Sequence, residues 1–475
     1  MRALTGLRSP DVPYPEDALP VDRAAFAARL DPLLPQAAGP IAVAVSGGPD
    51  SLALLHLADR WARSNGCELI VYTVDHRLRA ASAGEAAEVA RVSASLGRSH
   101  RTLPWRGSKP ARGLQAAARD ARYRLLLDAC RRDGAGVLLL AHHRDDQAET
   151  VLHRIDRDTG PEGLAGMAPS RAVDGVSLLR PLLDLPKARL VATCRAAGLS
   201  WAEDPSNSDP RFARSRLREL APVLAEAGVT AERLARLATA MTVARTAFDG
   251  FVAIWLDAHA EIGPGGSMTV DRLALNAAPA LLRDRLVERI LRAVGGSGYP
   301  PRSERLARLV AWVGEDPVSP RARTLAGCRI ELDRRTVAVV RDWRQAGEPV
   351  TVAAGGRARW DGRFEVENPT DRPVRVGVCG TEGWRRWRRT APGRAVAAGS
   401  SIPHAARLAL PAVVDLDGGI ALPHLVPSAP APFGWVGEAV RVRFRPTGLS
   451  FVTDPLVGGG SSLRPSLPCN GRQAT

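Results

Sequence analysis

The chain has 475 residues, beyond the size at which a single hydrophobic core stops growing, so two or more domains are expected. Hydrophobic residues make up 45% and charged residues 24% of the chain, which excludes a wholly disordered or a fibrous protein. The net charge is +15, and Lys109 and Lys187 are the only lysines. A bias in genome composition could by itself produce the preference for arginine over lysine. The charge excess, in contrast, favours a polyanionic partner, with nucleic acid as the first expectation.

The sequence has six widely spaced cysteines, none in a C-x-x-C pair: Cys67, Cys130, Cys194, Cys328, Cys379 and Cys469. This spacing argues against a zinc ribbon or a disulfide scaffold and predicts a reducing compartment. The first residues lack the apolar run of a signal peptide. No stretch approaches the roughly 18 apolar residues that a spanning helix needs. We therefore expect a cytoplasmic protein with no membrane partner.

Buried strands and helices are predicted to alternate in the first half of the chain. Residues 1–40 form a leader with one short amphipathic helix. Short apolar runs predict buried strands at 41–45, 69–74 and 137–141. Apolar residues at helical spacing predict helices at 51–64, 85–96, 114–131 and 146–155. This alternation predicts an α/β domain with a parallel sheet over residues 41–220.

The pattern changes after about residue 220. Residues 221–320 are rich in Ala, Leu and Arg at helical spacing, with a Gly/Pro break at 263–266, and predict a small helical domain. Residues 321–455 contain shorter β-like pieces at 328–332, 336–340 and 374–378, which predict a β-rich C-terminal region. The Gly/Ser/Pro-rich residues 456–475 predict a flexible tail.

The strongest motif is a glycine-rich loop, Ser46-Gly47-Gly48-Pro49-Asp50-Ser51, which follows the first strand and opens a helix. Glycines let backbone N–H groups approach an anion, while the serine hydroxyls and the helix N-terminus add donors. Asp50 would repel a bare phosphate, so a Mg²⁺ ion is expected between them. The loop lacks the G-K-[ST] ending of a Walker A motif. The alternative is an ordinary glycine-rich turn between a strand and a helix.

A second cluster, residues 142–150, follows the third strand and should therefore lie at the same edge of the sheet as the loop. It begins with His142. Asp146 and Glu149 share a helix face, and carboxylates beside a triphosphate need a metal ion or an ammonium group to neutralise them. The alternative is a solvated acidic helix start in which Asp145 or Asp146 acts as a cap.

Three further groups of residues carry weaker signals. Arg119 and Arg122 lie three apart on one helix face and suit phosphate oxygens, although the spacing alone favours a solvated basic face. Asp75, at the end of the second strand, is placed to reach a nucleotide base or ribose, or serves only a strand-end turn. The remaining motifs are weak individually: 160–167, 180–183, 203–209 and 214–218.

The glycine-rich loop resembles the PP-loop of the N-type ATP pyrophosphatases, which split ATP into AMP and pyrophosphate while adenylating a carbonyl-type oxygen. Over residues 41–220 the chain resembles the tRNA(Ile)-lysidine synthetases in the order and spacing of their motifs. The matching pieces are S-G-G-x-D-S, V-D-H-x-L-R, A-R-x-x-R-Y, H-x-x-D-D-x-x-E-T, G-L-A-G-M, R-P-L-L, and E-D-x-S-N-x-D followed by R-x-x-[IL]-R. The chain departs from the family at Arg77, where Gly is usual, at residues 158–160, and at Ser215, where Asn is common.

The resemblance implies that ATP, Mg²⁺, L-lysine and tRNA(Ile) with a CAU anticodon are the ligands. In that family the C2 oxygen of the wobble cytidine is adenylated, and lysine then displaces AMP. The implied site places residues 46–51, Asp75 and His142 at the nucleotide, and Asp50 and Asp146 at the metal. Asp146 and Glu149 would meet the lysine ammonium or the metal, and Arg119 and Arg122 would steady phosphates or the tRNA strand. The oligomeric state, including a homodimer, stays open.

Two other functions are weighed against this one. A tRNA thiolase of the PP-loop class would rely on paired cysteines, which this sequence lacks. A non-catalytic RNA-binding protein on a retained nucleotide fold would not need the intact acidic and phosphate motifs. The segment 384–389, Trp-Arg-Arg-Trp-Arg-Arg, predicts RNA contact through arginines on phosphates and tryptophans on bases. Its alternative is a solvated basic loop with the tryptophans packed inward.

Overall fold

The computed structural model describes residues 18–35, 39–78, 82–107, 109–110, 113–156, 161–173, 175–201, 213–263, 265–297, 300–316, 319–390, 393–394, 402–423, 425 and 440–446. The leader up to residue 17 and the tail predicted at 456–475 lie outside these ranges. Contacts between residues divide the chain into two compact units, Met1–Ala247 and Phe248–Thr475.

The first unit alternates strands and helices along the chain. Its strands are β1 (Ile41–Ala44), β2 (Leu69–Asp75), β3 (Ser99–Pro104), β4 (Val137–Leu139), β5 (Ser170–Val173) and β6 (Val176–Leu179). Its helices are α1 (Arg23–Leu30), α2 (Pro49–Asn65), α3 (Ser82–Ser95), α4 (Leu114–Arg132), α5 (Arg144–Ile155), α6 (Pro161–Leu164), α7 (Lys187–Ala196), α8 (Ala213–Glu226) and the first part of α9 (Ala231–His259). All strands and helices predicted between residues 41 and 155 are confirmed.

The six strands of this unit form one sheet in the order β3-β2-β1-β4-β6-β5, parallel except for the edge strand β5. Successive residues of β1 face opposite sides. Val43 belongs to the core that includes residues of α1, α2 and α7, and Ala42 belongs to the core on the other side, with residues of α4. Burial on both sides explains why the central strands are unbroken apolar runs. The strand order reverses between β1 and β4, and a crevice at such a point is where open α/β sheets bind ligands.

In its described residues, the second unit contains three antiparallel sheets together with helices. The sheets have the orders β7-β8-β11-β10-β9, β12-β15-β16-β17 and β13-β14-β18. The strands are β7 (Ala260–Ile262), β8 (Met268–Asp271), β9 (Arg321–Leu325), β10 (Cys328–Leu332), β11 (Thr336–Arg341), β12 (Val350–Val352), β13 (Arg357–Trp360), β14 (Phe364–Glu367), β15 (Val374–Val378), β16 (Pro411–Val414), β17 (Ile420–Ala421) and β18 (Arg441–Phe444). The helices are α10 (Arg272–Ala277), α11 (Ala280–Gly295), α12 (Ser303–Gly314), α13 (Gly380–Trp387) and α14 (His404–Leu408).

The three β-like pieces predicted after residue 320 are confirmed as β10, β11 and β15. The strands β7 and β8, on either side of the Gly/Pro break at residues 263–266, pair antiparallel. Because β8 also pairs with β11, residues 260–271 and 321–341 share one sheet. Two strands therefore lie within the region 221–320 that was predicted to be helical.

The tryptophans of the basic segment 384–389 pack inward. Trp384 and Trp387 are 7% and 1% exposed and belong to a small apolar core with Leu410 and Leu422. The arginines around them are exposed: Arg385, Arg386, Arg388 and Arg389. The expectation that these tryptophans stack on bases is therefore wrong, because α13 turns both indoles into the core.

Within the described residues, α9 is the one helix long and apolar enough to cross a membrane by length and composition. This differs from the expectation that no segment approaches that length. A single helix of this kind is weak evidence for a membrane span.

Candidate active site

The predicted phosphate loop forms a tight turn between β1 and α2. Gly47 has a φ of 91°, a conformation that side chains disfavour, and Pro49 occupies the first helical turn after the cap residue Gly48. The N–H of Ser46 donates to Ser51 Oγ at 3.1 Å, and that hydroxyl donates to the carbonyl of Gly48 at 2.9 Å. Since the first N–H groups of a helix lack helical partners, this turn presents donors to an anion.

The imidazole of His143 lies among three carboxylates beside this loop. Nε2 is 3.6 Å from Oδ2 of Asp50 and 3.4 Å from Oδ2 of Asp146, and Nδ1 is 3.4 Å from Oδ2 of Asp145. Burial lowers the pKa of His143, but its contacts with Asp145 and Asp50 and the charge of Asp146 outweigh burial and raise it to about 10. A cationic His143 therefore links the phosphate loop to the start of α5.

The carboxylate of Asp50 fits a divalent cation. Burial raises its pKa, but the contact and charge of His143, with the charges of Lys187 and Arg218, outweigh burial and leave the pKa below its ordinary value. Its Oδ1 atom is buried and has no hydrogen-bond partner among the described residues. An ionised oxygen without a donor suits Mg²⁺, which is held by one or two carboxylates together with waters and phosphates. The described residues contain no group of three or more His, Cys, Asp or Glu side chains arranged for a metal.

Asp146 and Asp145 also have structural contacts. The backbone N–H of His143, the cap residue of α5, donates to Asp146 Oδ2 at 3.1 Å, so the Asp146 side chain helps to cap the helix. The capping contact is therefore confirmed for Asp146, but the solvated helix start of that alternative is not, because the Asp146 side chain is only 15% exposed. Asp145 accepts the backbone N–H of Lys187 at 3.0 Å. Burial raises the pKa of Asp145, but His143 and this N–H outweigh burial and lower it to about 2.

Glu149 is paired with an arginine from a distant part of the chain. Arg218, on α8, donates from Nε to Glu149 Oε1 at 2.5 Å, and its Nη2 lies 4.0 Å from Asp146 Oδ1. The pair borders a cavity of about 260 Å³. Polar side chains form one part of its lining: His143, Asp145, Glu149, Lys187 and Arg218. Apolar side chains form the rest: Ala148, Leu152, Leu217, Ala221, Leu224, Val229, Ala231 and Leu234.

Asp75 has the contacts of a strand-end turn. Its Oδ1 accepts the N–H of Arg77 at 2.9 Å and the hydroxyl of Ser82 at 2.8 Å. Arg77 has a φ of 52°, which places an arginine in the left-handed region at the position where the family usually has Gly. The structure therefore gives a physical reason for that glycine.

Arg119 and Arg122 lie against an aromatic ring on the same helix. Their guanidinium carbons are 5.3 and 5.8 Å from the ring centre of Tyr123. Arg119 is exposed, as the solvated alternative expects, and Arg122 is half-buried. Both keep Tyr123 in a cationic environment.

Some predicted positions lie outside the described residues. These are residues 158–160, the motif 203–209, and the side chains of Arg214 and Ser215. His143 and Arg218 belong to predicted motifs, but sequence reasoning did not assign them to the site. The signal for His143 is a second histidine directly after a buried strand. Sequence reasoning also did not assign Lys187, whose charge acts on Asp50. The signal that could have found it is that lysine is rare in this chain, with two lysines among 65 basic residues.

Comparison with known proteins gives consistent matches. A family model described as a PP-loop domain matches residues 23–224. The tRNA(Ile)-lysidine synthase of Methylobacterium nodulans is 51% identical over 295 residues, 61% of this chain and 86% of that protein. The tRNA(Ile)-lysidine synthase of Ruegeria pomeroyi is 39% identical over 401 residues, 84% of this chain and 90% of that protein. Among solved structures, the U34-tRNA thiolase NcsA from Methanococcus maripaludis matches with a TM-score of 0.40 and 16% identity, covering 46% of this chain and 76% of that one.

Proposed function

This chain belongs to the tRNA(Ile)-lysidine synthase family, and we propose that it joins L-lysine to C2 of the wobble cytidine of tRNA(Ile) with a CAU anticodon. The use of ATP follows from the PP-loop family. In the first step the C2 oxygen of the cytidine attacks the α-phosphorus of ATP, and pyrophosphate leaves. In the second step an amino group of lysine attacks C2, loses a proton, and displaces AMP.

The phosphate loop and the carboxylates beside it supply the nucleotide site in this proposal. Residues 46–51 bind the phosphates through backbone N–H groups, with His142 at the end of β4 and Asp75 at the end of β2 on either side. Asp50 and Asp146 would hold Mg²⁺, which would supply positive charge to the phosphates. His143 holds both carboxylates in place by its contacts of 3.6 and 3.4 Å. Positioning and charge neutralisation then provide most of the rate enhancement.

The single observation that carries the assignment of lysine is the cavity at Glu149. Its apolar walls suit a chain of methylene groups, and its carboxylate suits an ammonium group. The guanidinium of Arg218 lies 2.5 Å from the Glu149 carboxylate, which shows that this carboxylate is placed to bind a cation. Lysine would have to displace this guanidinium. Asp146, 4.0 Å from the same arginine, lies within reach of the incoming cation.

The net charge and the exposed arginines support tRNA as the partner. Arg385, Arg386, Arg388 and Arg389 lie on the surface around α13 and remain proposed phosphate contacts, without the tryptophans. Replacing the four with glutamine should weaken tRNA binding and flatten its dependence on salt, because fewer counterions are released on binding when fewer phosphates are neutralised. An unchanged salt slope would place the RNA contacts elsewhere.

The cysteines of the first unit do not favour the thiolase alternative. Burial raises the pKa of Cys130 and of Cys194 to about 12, and burial also raises the pKa of Cys67. Sulfur transfer needs thiolates, which form at neutral pH only where the pKa is depressed. These three side chains therefore lack the environment of a sulfur carrier.

The proposed function is tested with purified protein, ATP, Mg²⁺, labelled lysine and a tRNA(Ile) transcript with a CAU anticodon. We expect lysine incorporation with release of AMP and pyrophosphate. Asp50→Ala should abolish the release of pyrophosphate while the protein stays folded, whereas replacing Asp128, a half-exposed aspartate on α4 that pairs with Arg131, with alanine should not. Norleucine, which lacks the ammonium group, should not be incorporated. Normal turnover by a folded Asp50→Ala protein, or equal use of norleucine, would refute these assignments.

A further inference from the structure

The R-P-L-L motif contributes a buried arginine that the proposed mechanism has not used. Arg180 follows β6 and is 6% exposed. Its Nε donates to Nδ1 of His142 at 3.2 Å, and its Nη1 donates to the carbonyl of Ala168 at 2.8 Å. Its backbone N–H donates to the carbonyl of Pro169 at 2.8 Å. Arg180 therefore joins the end of β6 to His142, three residues beyond the end of β4.

The charge of the Arg180 guanidinium also acts on Tyr123, on α4. Burial raises the pKa of the Tyr123 phenol, but the charges of Arg122, Arg119 and Arg180 outweigh burial and lower it. With acceptors on the loop before β5 and on His142, met by two different nitrogens, the planar guanidinium has little freedom to turn. A lysine, with a single nitrogen, could not reproduce this pair of contacts.

This contact decides where the proton of His142 lies. A guanidinium only donates hydrogen bonds, so Nδ1 of His142 must accept, and in the neutral ring the proton is on Nε2. The adjacent His143 is in the opposite situation, because both of its nitrogens face carboxylates. Two consecutive histidines are thus set up differently by their neighbours, one as a neutral donor through Nε2 and the other as a cation.

We propose that Arg180 is a positioning residue that holds His142 in the Nε2–H tautomer, so that His142 donates a hydrogen bond to the nucleotide as the cytidine is adenylated. This inference rests on the proposed function, which places His142 at the nucleotide. Arg180 itself acts through His142.

The first test reads the tautomer without any reaction. The nine histidines of the chain are labelled with ¹⁵N in their rings, and His142 is assigned by the signals that disappear in His142→Gln. In the wild-type protein Nδ1 of His142 should have the shift of an unprotonated nitrogen. In Arg180→Lys the two tautomers should mix. Arg171→Lys, a matched change of an exposed arginine on β5, should leave the His142 signals in place.

The second test measures single-turnover release of pyrophosphate with ATP and tRNA and without lysine. Arg180→Lys should slow this step on the order of 10²-fold, while Arg171→Lys should not. His142→Gln places its amide nitrogen near the Nε2 position and should retain more activity than His142→Asn. In the Arg180→Lys background the His142→Gln change should cost less than in the wild type, because the two residues act as one unit.

Three results would overturn the inference. The first is a wild-type His142 protonated on Nδ1. The second is a tautomer that does not change in Arg180→Lys. The third is a changed tautomer with an unchanged rate of pyrophosphate release. All three can occur while the wild-type protein still makes lysidine, whereas failure of the proposed function would appear as a wild-type protein that incorporates no lysine.

Discussion

Replacing Glu149 with glutamine separates the two half-reactions of the proposed mechanism. The side chain of Glu149 is 9% exposed, and Arg218 contacts both of its oxygens, at 2.5 and 3.4 Å. Glu149→Gln keeps the shape of the side chain and removes its charge. If Glu149 receives the ammonium group of lysine, the variant should bind lysine less well and should still adenylate tRNA.

The expected change in the KM for lysine follows from the hydrogen bonds that the Glu149 carboxylate would make with lysine and now makes with Arg218. A hydrogen bond to a charged partner contributes about 1.5–3 kcal/mol, or roughly a 10- to 150-fold change in affinity. Lysine, however, must first displace Arg218, and the loss of charge weakens the hold of Arg218 as well. These two effects oppose one another, so we expect the KM for lysine to rise by about tenfold, at the lower end of that range.

The assay follows lysine incorporation over a range of lysine concentrations, together with single-turnover release of pyrophosphate in the absence of lysine. Glu232→Gln is the matched control, because Glu232 is an exposed glutamate at the start of α9. Release of pyrophosphate should stay within about threefold of the wild-type rate in both variants, since carboxylates outside the nucleotide site contribute little to that step. If Glu149→Gln slows this release as much as it slows ligation, Glu149 serves the nucleotide or its metal, and the reasoning about lysine is wrong.

Three further predictions concern stability and are read by thermal or urea unfolding. Arg77→Gly should stabilise the protein by up to about 1 kcal/mol, because it relieves a left-handed residue at φ 52° and gives up one 3.6 Å ion pair, in which the Arg77 side chain is 56% exposed and that of Asp75 is 9% exposed; lower stability would contradict this. Gly166→Ala should lower the free energy of unfolding by about 2 kcal/mol or more, because its Cβ would lie 2.6 Å from Gln147 Oε1. That oxygen accepts the N–H of Met167 at 2.7 Å. An unchanged unfolding midpoint would show that Gln147 moves freely. The folded pKa of His143, about 10, lies above its ordinary value of 6.5, so its contribution is complete below pH 6.5 and is lost as the pH rises towards 10. Stability should fall by up to about 1.4 kcal/mol per pH unit in that window, and His143→Gln should flatten the profile.

Several features of the site could be predicted because they depend on residues close together in the chain. The apolar run 41–45, the glycines after it and the helix that follows are enough to predict a phosphate loop. Parallel strands end at a common edge, so the order of the elements alone places the cluster at 142–150 beside that loop. The strands β3, β5 and β6 were missed. β3 and β5 lie at the edges of the sheet with several exposed residues and no apolar run, and β6 is buried but only four residues long.

The chemical state of each side chain depended on tertiary packing. Arg218 meets Glu149 across 69 residues of sequence, and Arg180 meets His142 across 38, separations over which periodicity carries no information. His142 and His143 are neighbours in sequence, yet one faces a guanidinium and the other faces carboxylates. Trp384 and Trp387 looked suited to stacking on bases, but packing against Leu410 and Leu422 buries them. The sequence by itself determined which strands and loops would meet at the edge of the sheet, because alternation and spacing are local properties. Only the tertiary structure decided which charges face one another there, because those contacts depend on how distant elements pack.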